Sequence, residues 1–318
     1  MSIITVTLNP AIDQTVTLDR LTRGVVNRAS SVRLDAGGKG FNVASCLADW
    51  GERAVVTGLL GAENPEVFEA LLHRKGLEDR FVRIAGATRT NIKLVDREET
   101  TDINLPGFTA TPEALGRVEA EIAALATRSA LTVVGGSLPP GTAADHYATM
   151  LAGLAATGTC AILDTSGPAL AAALAGTVRP YAIKPNLAEL TELTGKSCES
   201  LSDVAAAAVA LCRTGIALVV VSMGAEGALF VTAGGILRAL PPPVTGIGST
   251  VGAGDAMVAG IVAALREGGD IERIARLGTA FAVGKLGLAG PNLPGREAVE
   301  ALAARTGIES VATEEGAP

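Results

Sequence analysis

Short β-branched runs alternate with longer stretches of helical periodicity along most of this 318-residue chain. Strand patterns are expected at 3–8, 54–59, 131–135, 160–164, 181–184, 217–222 and 228–232. Helix patterns are expected at 41–50, 65–75, 112–127, 143–156, 168–175, 186–194, 201–214, 254–266, 271–287 and 296–305. Parallel strands need crossover connections, and a helix supplies one while covering a sheet face. Continuous apolar strands interleaved with helices therefore predict an α/β fold with a parallel sheet covered on both faces.

Two regions break the alternation. Residues 12–35 and 89–104 read as alternating strands with charged faces, as in Thr15-Val16-Thr17-Leu18 and Thr90-Asn91-Ile92-Lys93-Leu94-Val95. They predict a small, separate antiparallel sheet inserted into one domain spanning 1–308. One face of such a sheet is free to cover a ligand or to meet another subunit. Residues 309–318 read as an acidic tail expected to fray.

Apolar residues make up 48% of the chain and charged residues 19%, enough for a sizeable core. Aromatics are only 3%, so Ala, Val, Leu and Gly fill the interior and favour closely packed helices on a sheet. The formal net charge of −7 argues against a nucleic-acid partner. It is compatible with a phosphorylated small molecule held in a local cationic pocket. Cys46, Cys160, Cys198 and Cys212 form no C-x-x-C pair and read as reduced thiols of a cytoplasmic protein. No membrane span or signal-like start is expected. His73 and His146 lack ligand spacing, so neither a structural zinc site nor a Ser-His-Asp triad is expected.

The chemistry concentrates at glycine-rich junctions. Gly248-Ser249-Thr250-Val251-Gly252-Ala253-Gly254-Asp255 runs straight into an apolar helix pattern. A glycine loop opening a helix presents unpaired N–H groups and the positive end of the helix dipole to an anion. Asp255 would repel a phosphate there unless it takes a proton from the group attacking that phosphate. The alternative is a glycine-rich turn whose Asp only caps the helix. Ala36-Gly37-Gly38-Lys39-Gly40-Phe41-Asn42 is a second loop-to-helix junction. It lacks the Ser or Thr that follows Lys in a Walker loop. Lys39 suits a phosphate, and Asn42 and the glycine N–H groups suit sugar hydroxyls; a tight turn before a packed helix is the alternative.

Asp13 follows the first strand, where open α/β sheets bind ligands, and can pair with two sugar hydroxyls or act as a turn residue. Lys184-Pro185-Asn186-Leu187-Ala188-Glu189 places Asn186 and Glu189 on one face at a helix start. That pattern serves magnesium through its waters, or an ordinary capping box. Ser222-Met223-Gly224-Ala225-Glu226-Gly227 joins two strands and suits a nucleotide or a plain hairpin. Ser137 ends another strand, and Arg89 suits bidentate phosphate binding. The place after the first strand holds Asn9-Pro10-Ala11-Ile12-Asp13, not the G-x-G-x-x-G of a dinucleotide site.

Taken in order, these segments resemble the ribokinase-like (PfkB) sugar kinases over about residues 3–305. The strings that carry the likeness are Gly-Gly-Lys-Gly-x-Asn-Val-Ala from Gly37, Asn186-x-x-Glu189, and Ser249-Thr250-Val251-Gly252-Ala253-Gly254-Asp255. The resemblance implies a three-layer α/β/α fold with a mostly parallel central sheet and a small β-sheet lid that closes the site and dimerises. It implies ATP with Mg²⁺ as phosphoryl donor, and fructose 1-phosphate phosphorylated at its 6-hydroxyl. Tagatose 6-phosphate or fructose 6-phosphate is the alternative substrate. By the same likeness Asp255 is the base and Gly252, Ala253 and Gly254 the anion hole. Asp13, Gly38, Lys39, Asn42, Arg89 and Ser137 then contact the sugar phosphate. Lys184, Asn186, Ser222, Gly224, Gly227 and Thr250 contact the nucleotide, and Glu189 (through water) with Asn186 serves the metal. Phe41 stands where the family has an aliphatic residue.

Overall fold

The computed structural model describes residues 2–97, 99–127, 129–244 and 250–312, so Gly248 and Ser249 of the glycine-rich junction lie outside the described residues. The chain opens with β1 (Ser2–Thr7), β2 (Ala11–Thr17), β3 (Ser31–Gly37), α1 (Lys39–Trp50), β4 (Ala54–Gly61), α2 (Glu66–Lys75) and β5 (Glu78–Ile84). It continues with β6 (Arg89–Val95), β7 (Thr100–Ile103), α3 (Pro112–Ala126), β8 (Ser129–Gly135), α4 (His146–Ala156), β9 (Cys160–Asp164) and α5 (Gly167–Ala175). Next come β10 (Ala182–Ile183), α6 (Leu187–Thr194), α7 (Leu201–Cys212), β11 (Leu218–Ser222), β12 (Ala228–Thr232) and β13 (Gly235–Leu240). The last elements are α8 (Ala253–Arg266), α9 (Ile271–Lys285), α10 (Arg296–Arg305) and β14 (Gly307–Ser310).

The main sheet runs β14-β13-β12-β11-β10-β9-β8-β1-β4-β5. From β5 to β11 every pairing is parallel. The β11–β12, β12–β13 and β13–β14 pairings are antiparallel. Every residue of β4 is buried, as a strand covered on both faces requires. One face carries a core in which Leu115, Val118, Tyr147, Leu151, Leu170 and Val204 meet the sheet. The other packs side chains of α1, α8, α9 and α10. The result is the expected three-layer α/β/α arrangement.

Small residues allow the layers to approach. Most of α8 is buried, and a side chain at Gly260 would come within 2.4 Å of the Leu277 carbonyl oxygen on α9. Phe41 fills a separate cluster, meeting Phe68 edge-on at 5.0 Å and stacking on Phe81 at 6.3 Å. The aromatic residue at this position therefore fixes α1 to α2 and β5.

Three strands fall outside the expected patterns: β5, β13 and β14. β5 and β14 are the outer strands of the sheet, and Glu78-Asp79-Arg80 keeps three exposed residues on β5. Charged edges of this kind prevent further pairing and hide the strand from an apolar pattern. β14 also shortens the expected tail: Glu309 and Ser310 pair with β13, and Val311 donates to Ile236 O at 3.0 Å.

The small sheet has the order β3-β2-β6-β7. Its outer pairings are antiparallel, but the central β2–β6 pairing is parallel, which corrects the expected all-antiparallel sheet. The reason lies in the main sheet. β2 and β6 leave the C-terminal ends of β1 and β5, which point the same way, so both enter the lid in the same direction.

Candidate active site

The site gathers at the C-terminal ends of the parallel strands, where such sheets bind ligands. Asn9 follows β1, Ser137 follows β8, Asp164 ends β9, Lys184 follows β10 and Ser222 ends β11. Above them lies the start of α8. Gly252 takes a left-handed conformation at φ 80°, and Thr250 O accepts from Ala253 N at 3.2 Å. As at any helix start, the Gly254 and Asp255 N–H groups have no intrahelical acceptor.

Asp255 is buried in this first turn and accepts a 2.7 Å hydrogen bond from Asn42 Nδ2 on α1. Burial, followed by the negative charge of Asp164, pushes its carboxyl up to about 6, against the pull of Lys39, Asn42 and Lys184. Asp164 is fully buried and faces Lys39 Nζ at 3.1 Å and Lys184 Nζ at 3.6 Å. Burial opposes its ionisation, but Lys184 and Lys39 overcome that and hold its carboxyl below the usual range. Burial also opposes the charge of Lys39, yet Asp164, Asp255 and Glu189 together hold its ammonium above the ordinary value. Lys184 reaches this glycine turn itself: a Cβ on Gly254 would sit 3.2 Å from its Nζ. Two ammonium groups therefore flank one buried carboxylate directly beside a carboxyl poised near neutrality.

Asp164 is a residue that sequence reasoning missed. Its signal was present, since it closes an apolar strand pattern at the same sheet end as Asp13. Its Oδ2 is buried with no hydrogen-bond partner among the described residues.

Four of the six expected sugar contacts divide between two cavities, while Gly38 and Lys39 line neither. The first, about 330 Å³, is lined by Asp13, Asn42, Lys93, Gly252 and Lys285 among others. Asp13 accepts from Lys93 Nζ at 3.0 Å and Asn91 Nδ2 at 3.3 Å, both on β6. Gly37 passes close by, with room for no more than a 3.0 Å approach of a Cβ to Asp13 Oδ2. Gly38 takes φ 123° at the turn into α1. The second cavity, about 540 Å³, holds Asn9, Arg89, Ser137 and Thr165. Asn9 Nδ2 donates to Ser137 Oγ at 3.1 Å. Arg89 donates to the carbonyls of Leu105 at 2.7 Å, Asn9 at 3.1 Å and Pro10 at 3.3 Å. It thus ties the lid to the loop after β1, and burial lowers its pKa. A guanidinium has five N–H donors, so two stay available for a phosphate.

Of the expected nucleotide contacts, Lys184, Asn186, Ser222, Gly224 and Gly227 lie on two neighbouring loops, while Thr250 belongs to the turn before α8. Ser222 N donates to Pro185 O at 3.0 Å, and Asn186 bridges to Ser222, so the loops after β10 and β11 run side by side. Gly224, at φ 61°, opens a single 3-10 turn, Gly224–Glu226. Gly227 N donates to Gly224 O and Gly227 O accepts from Met223 N, and any Cβ at this position would collide with the Ala239 carbonyl. The role visible for Gly227 is therefore the turn itself.

Asn186 and Glu189 form a complete capping box on α6. Glu189 N donates to Asn186 Oδ1 and Asn186 N to Glu189 Oε2, each at 2.9 Å. The box engages one carboxylate oxygen of Glu189 and leaves the other for a water. Among the described residues no three His, Cys, Asp or Glu side chains converge as a metal cluster. This donor set fits Mg²⁺ held mainly by nucleotide phosphates and waters, the usual manner for that ion. Among the described residues, no helix is long and apolar enough to cross a membrane.

The 1-phosphofructokinase of Xanthomonas campestris pv. campestris is 52% identical over 288 residues, covering 89% of this chain and 90% of its own length. The 1-phosphofructokinase of Rhodobacter capsulatus is 47% identical over 314 residues, 98% of each chain. Among solved structures, phosphofructokinase-2 from Escherichia coli in complex with potassium superposes with a TM-score of 0.89 at 29% identity, over 95% of this chain and 98% of its own. The pfkB family carbohydrate kinase profile matches residues 6–295. The chain belongs to the pfkB family of carbohydrate kinases.

Proposed function

We propose that this protein transfers the γ-phosphoryl group of ATP to the 6-hydroxyl of fructose 1-phosphate, giving fructose 1,6-bisphosphate. The observation that carries the reading is Asp255, a buried carboxyl near pKa 6 at an anion-binding helix start, aligned by Asn42. At neutral pH it is mostly ionised and able to take a proton. The names of the two 1-phosphofructokinase relatives support the choice of sugar phosphate.

In this reading residues 1–308 act as one domain whose lid segments close over the sugar. Asp13 and Asn42 align the sugar hydroxyls from the first cavity. The 6-oxygen attacks the γ-phosphorus, its proton passes to Asp255 Oδ, and the bond from that phosphorus to the β-bridging oxygen breaks, releasing ADP. The Gly252, Ala253 and Gly254 turn receives the transferring phosphoryl oxygens, and Lys39 and Lys184 supply positive charge beside it. Ser222, Gly224 and Thr250 bound the nucleotide side. Magnesium, bound through water to Glu189 and Asn186, would neutralise charge on the nucleotide phosphates. The lid exposes Val25, Val26, Val32, Leu34, Ile103 and Leu105, which supports pairing with a second copy of the chain. The four free cysteines suit a reducing, cytoplasmic setting.

Arg89, with two N–H donors left for a phosphate, gives the decisive experiment. Two charge-assisted bonds to a substrate phosphate at about 1.5–3 kcal/mol each imply roughly 10² to 10⁴ in kcat/KM. Initial rates with ATP should therefore favour fructose 1-phosphate over free fructose by at least about 10². Arg89→Ala should erase much of that preference by harming the phosphorylated sugar alone. Comparable kcat/KM for both sugars would overturn the reading. A higher rate with tagatose 6-phosphate or fructose 6-phosphate would replace the substrate.

A further inference from the structure

Lys285 ends α9 and is 4% exposed. Its ammonium donates to the Leu288 carbonyl at 2.8 Å. Its Cε lies 3.4 Å from where a Gly252 Cβ would stand, so the side chain packs directly beneath the anion turn. It lines the same cavity as Asn42 and Gly252. Among the described residues no carboxylate lies within ion-pair distance of it. A buried ammonium without a counter-ion is costly, and a protein interior normally pairs or neutralises it. Charged groups facing it include Asp35 and the cations Lys93 and Arg33, and burial weakens its hold on its proton. The Gly252 turn packed against its stem is a place where a compensating anion can be held.

We propose that Lys285 is a positioning residue for phosphoryl transfer: a fixed internal cation beneath the anion turn whose counter-ion is the transferring phosphoryl group. This rests on the kinase reading above. Glycine at 252 leaves the turn pliable, and the lysine stem braces it from below. The ammonium adds a positive charge that needs no rearrangement when negative charge gathers at the turn. A neutral residue of the same length would keep the packing and lose the charge.

Steady-state kinetics of Lys285→Met, Lys285→Arg and Lys285→Ala test this, on whichever sugar phosphate the wild type turns over fastest. A different preferred sugar would then overturn the substrate reading and leave the Lys285 comparison intact. Lys285→Met, which keeps the apolar stem, should lose about 10- to 100-fold in kcat with the sugar KM within about threefold. Lys285→Arg should retain several-fold more kcat than Lys285→Met. Added methylammonium should restore kcat of Lys285→Ala in a saturable way, with sodium at equal ionic strength giving no effect. Wild-type kcat in Lys285→Met would overturn the proposal. So would a loss that follows the melting temperature across all three variants and that methylammonium leaves unchanged.

Discussion

At the scale of single residues, the proposed chemistry turns on Asp255. A carboxyl ordinarily near 3.8 stands at about 6 here because it is buried and faces Asp164. Asp255→Asn keeps the shape and the hydrogen bond from Asn42 but removes the basic oxygen. General-base catalysis contributes about 10² to 10⁴, so kcat should fall by that factor with both KM values little changed. The same substitution should stabilise the fold. The raised folded pKa means the native state holds this proton more tightly than the unfolded chain. Its contribution to stability is present below the unfolded pKa and lost as pH rises through about 6. At pH 8 the neutral Asn should therefore raise stability by roughly 1–3 kcal/mol, seen as a higher Tm. An unchanged kcat would remove Asp255 from the role of base, and a lower Tm at pH 8 would contradict the strained carboxylate. In the wild type, kcat/KM should fall below about pH 6 as Asp255 takes up its proton.

At the scale of elements, α6 separates a cap from a metal role. Glu189 serves the capping box in the folded chain. Glutamine also completes such a box. Glu189→Gln should thus leave the Tm nearly unchanged while raising the Mg²⁺ concentration for half-maximal rate and lowering kcat. Glu189→Ala should add a stability loss of about 0.5–2 kcal/mol. If Glu189→Gln shows wild-type kinetics across a Mg²⁺ titration, the residue is a cap alone. The helices themselves were legible in the sequence to within three residues at each end, since apolar periodicity and glycine stops such as Gly51 and Gly76 mark their ends. β5 and β14 were not, because the charged or short strands at a sheet edge carry no apolar run.

At the scale of the whole molecule, the lid is the open question that assembly answers. Val26 is 87% exposed and Val25 61%, in a connection between two lid strands. Apolar groups in that position are expected to be covered by a second copy. Replacing Val26 and Val32 together by Asp should convert a dimer to a monomer in sedimentation velocity, with the melting temperature of the α/β body little changed. A wild type that sediments as a monomer at micromolar concentration would sink lid-mediated pairing.

The sequence alone determined the three-layer architecture, the position of the lid segments and the glycine turn with its aspartate in the first turn of a helix. Each rests on local pattern: periodicity, glycines and a carboxylate at a helix start. Only the tertiary structure decided how these pieces act together. It placed Asn42 on Asp255 across 213 residues of chain, and Asp164 between Lys39 and Lys184. It set β2 parallel to β6, because strand direction in the lid is inherited from two main-sheet strands far apart in the chain. It also raised Asp255 toward neutrality and left Lys285 buried beneath the anion turn. Burial and the field of neighbouring charges belong to the packed arrangement, and no segment of sequence carries them by itself.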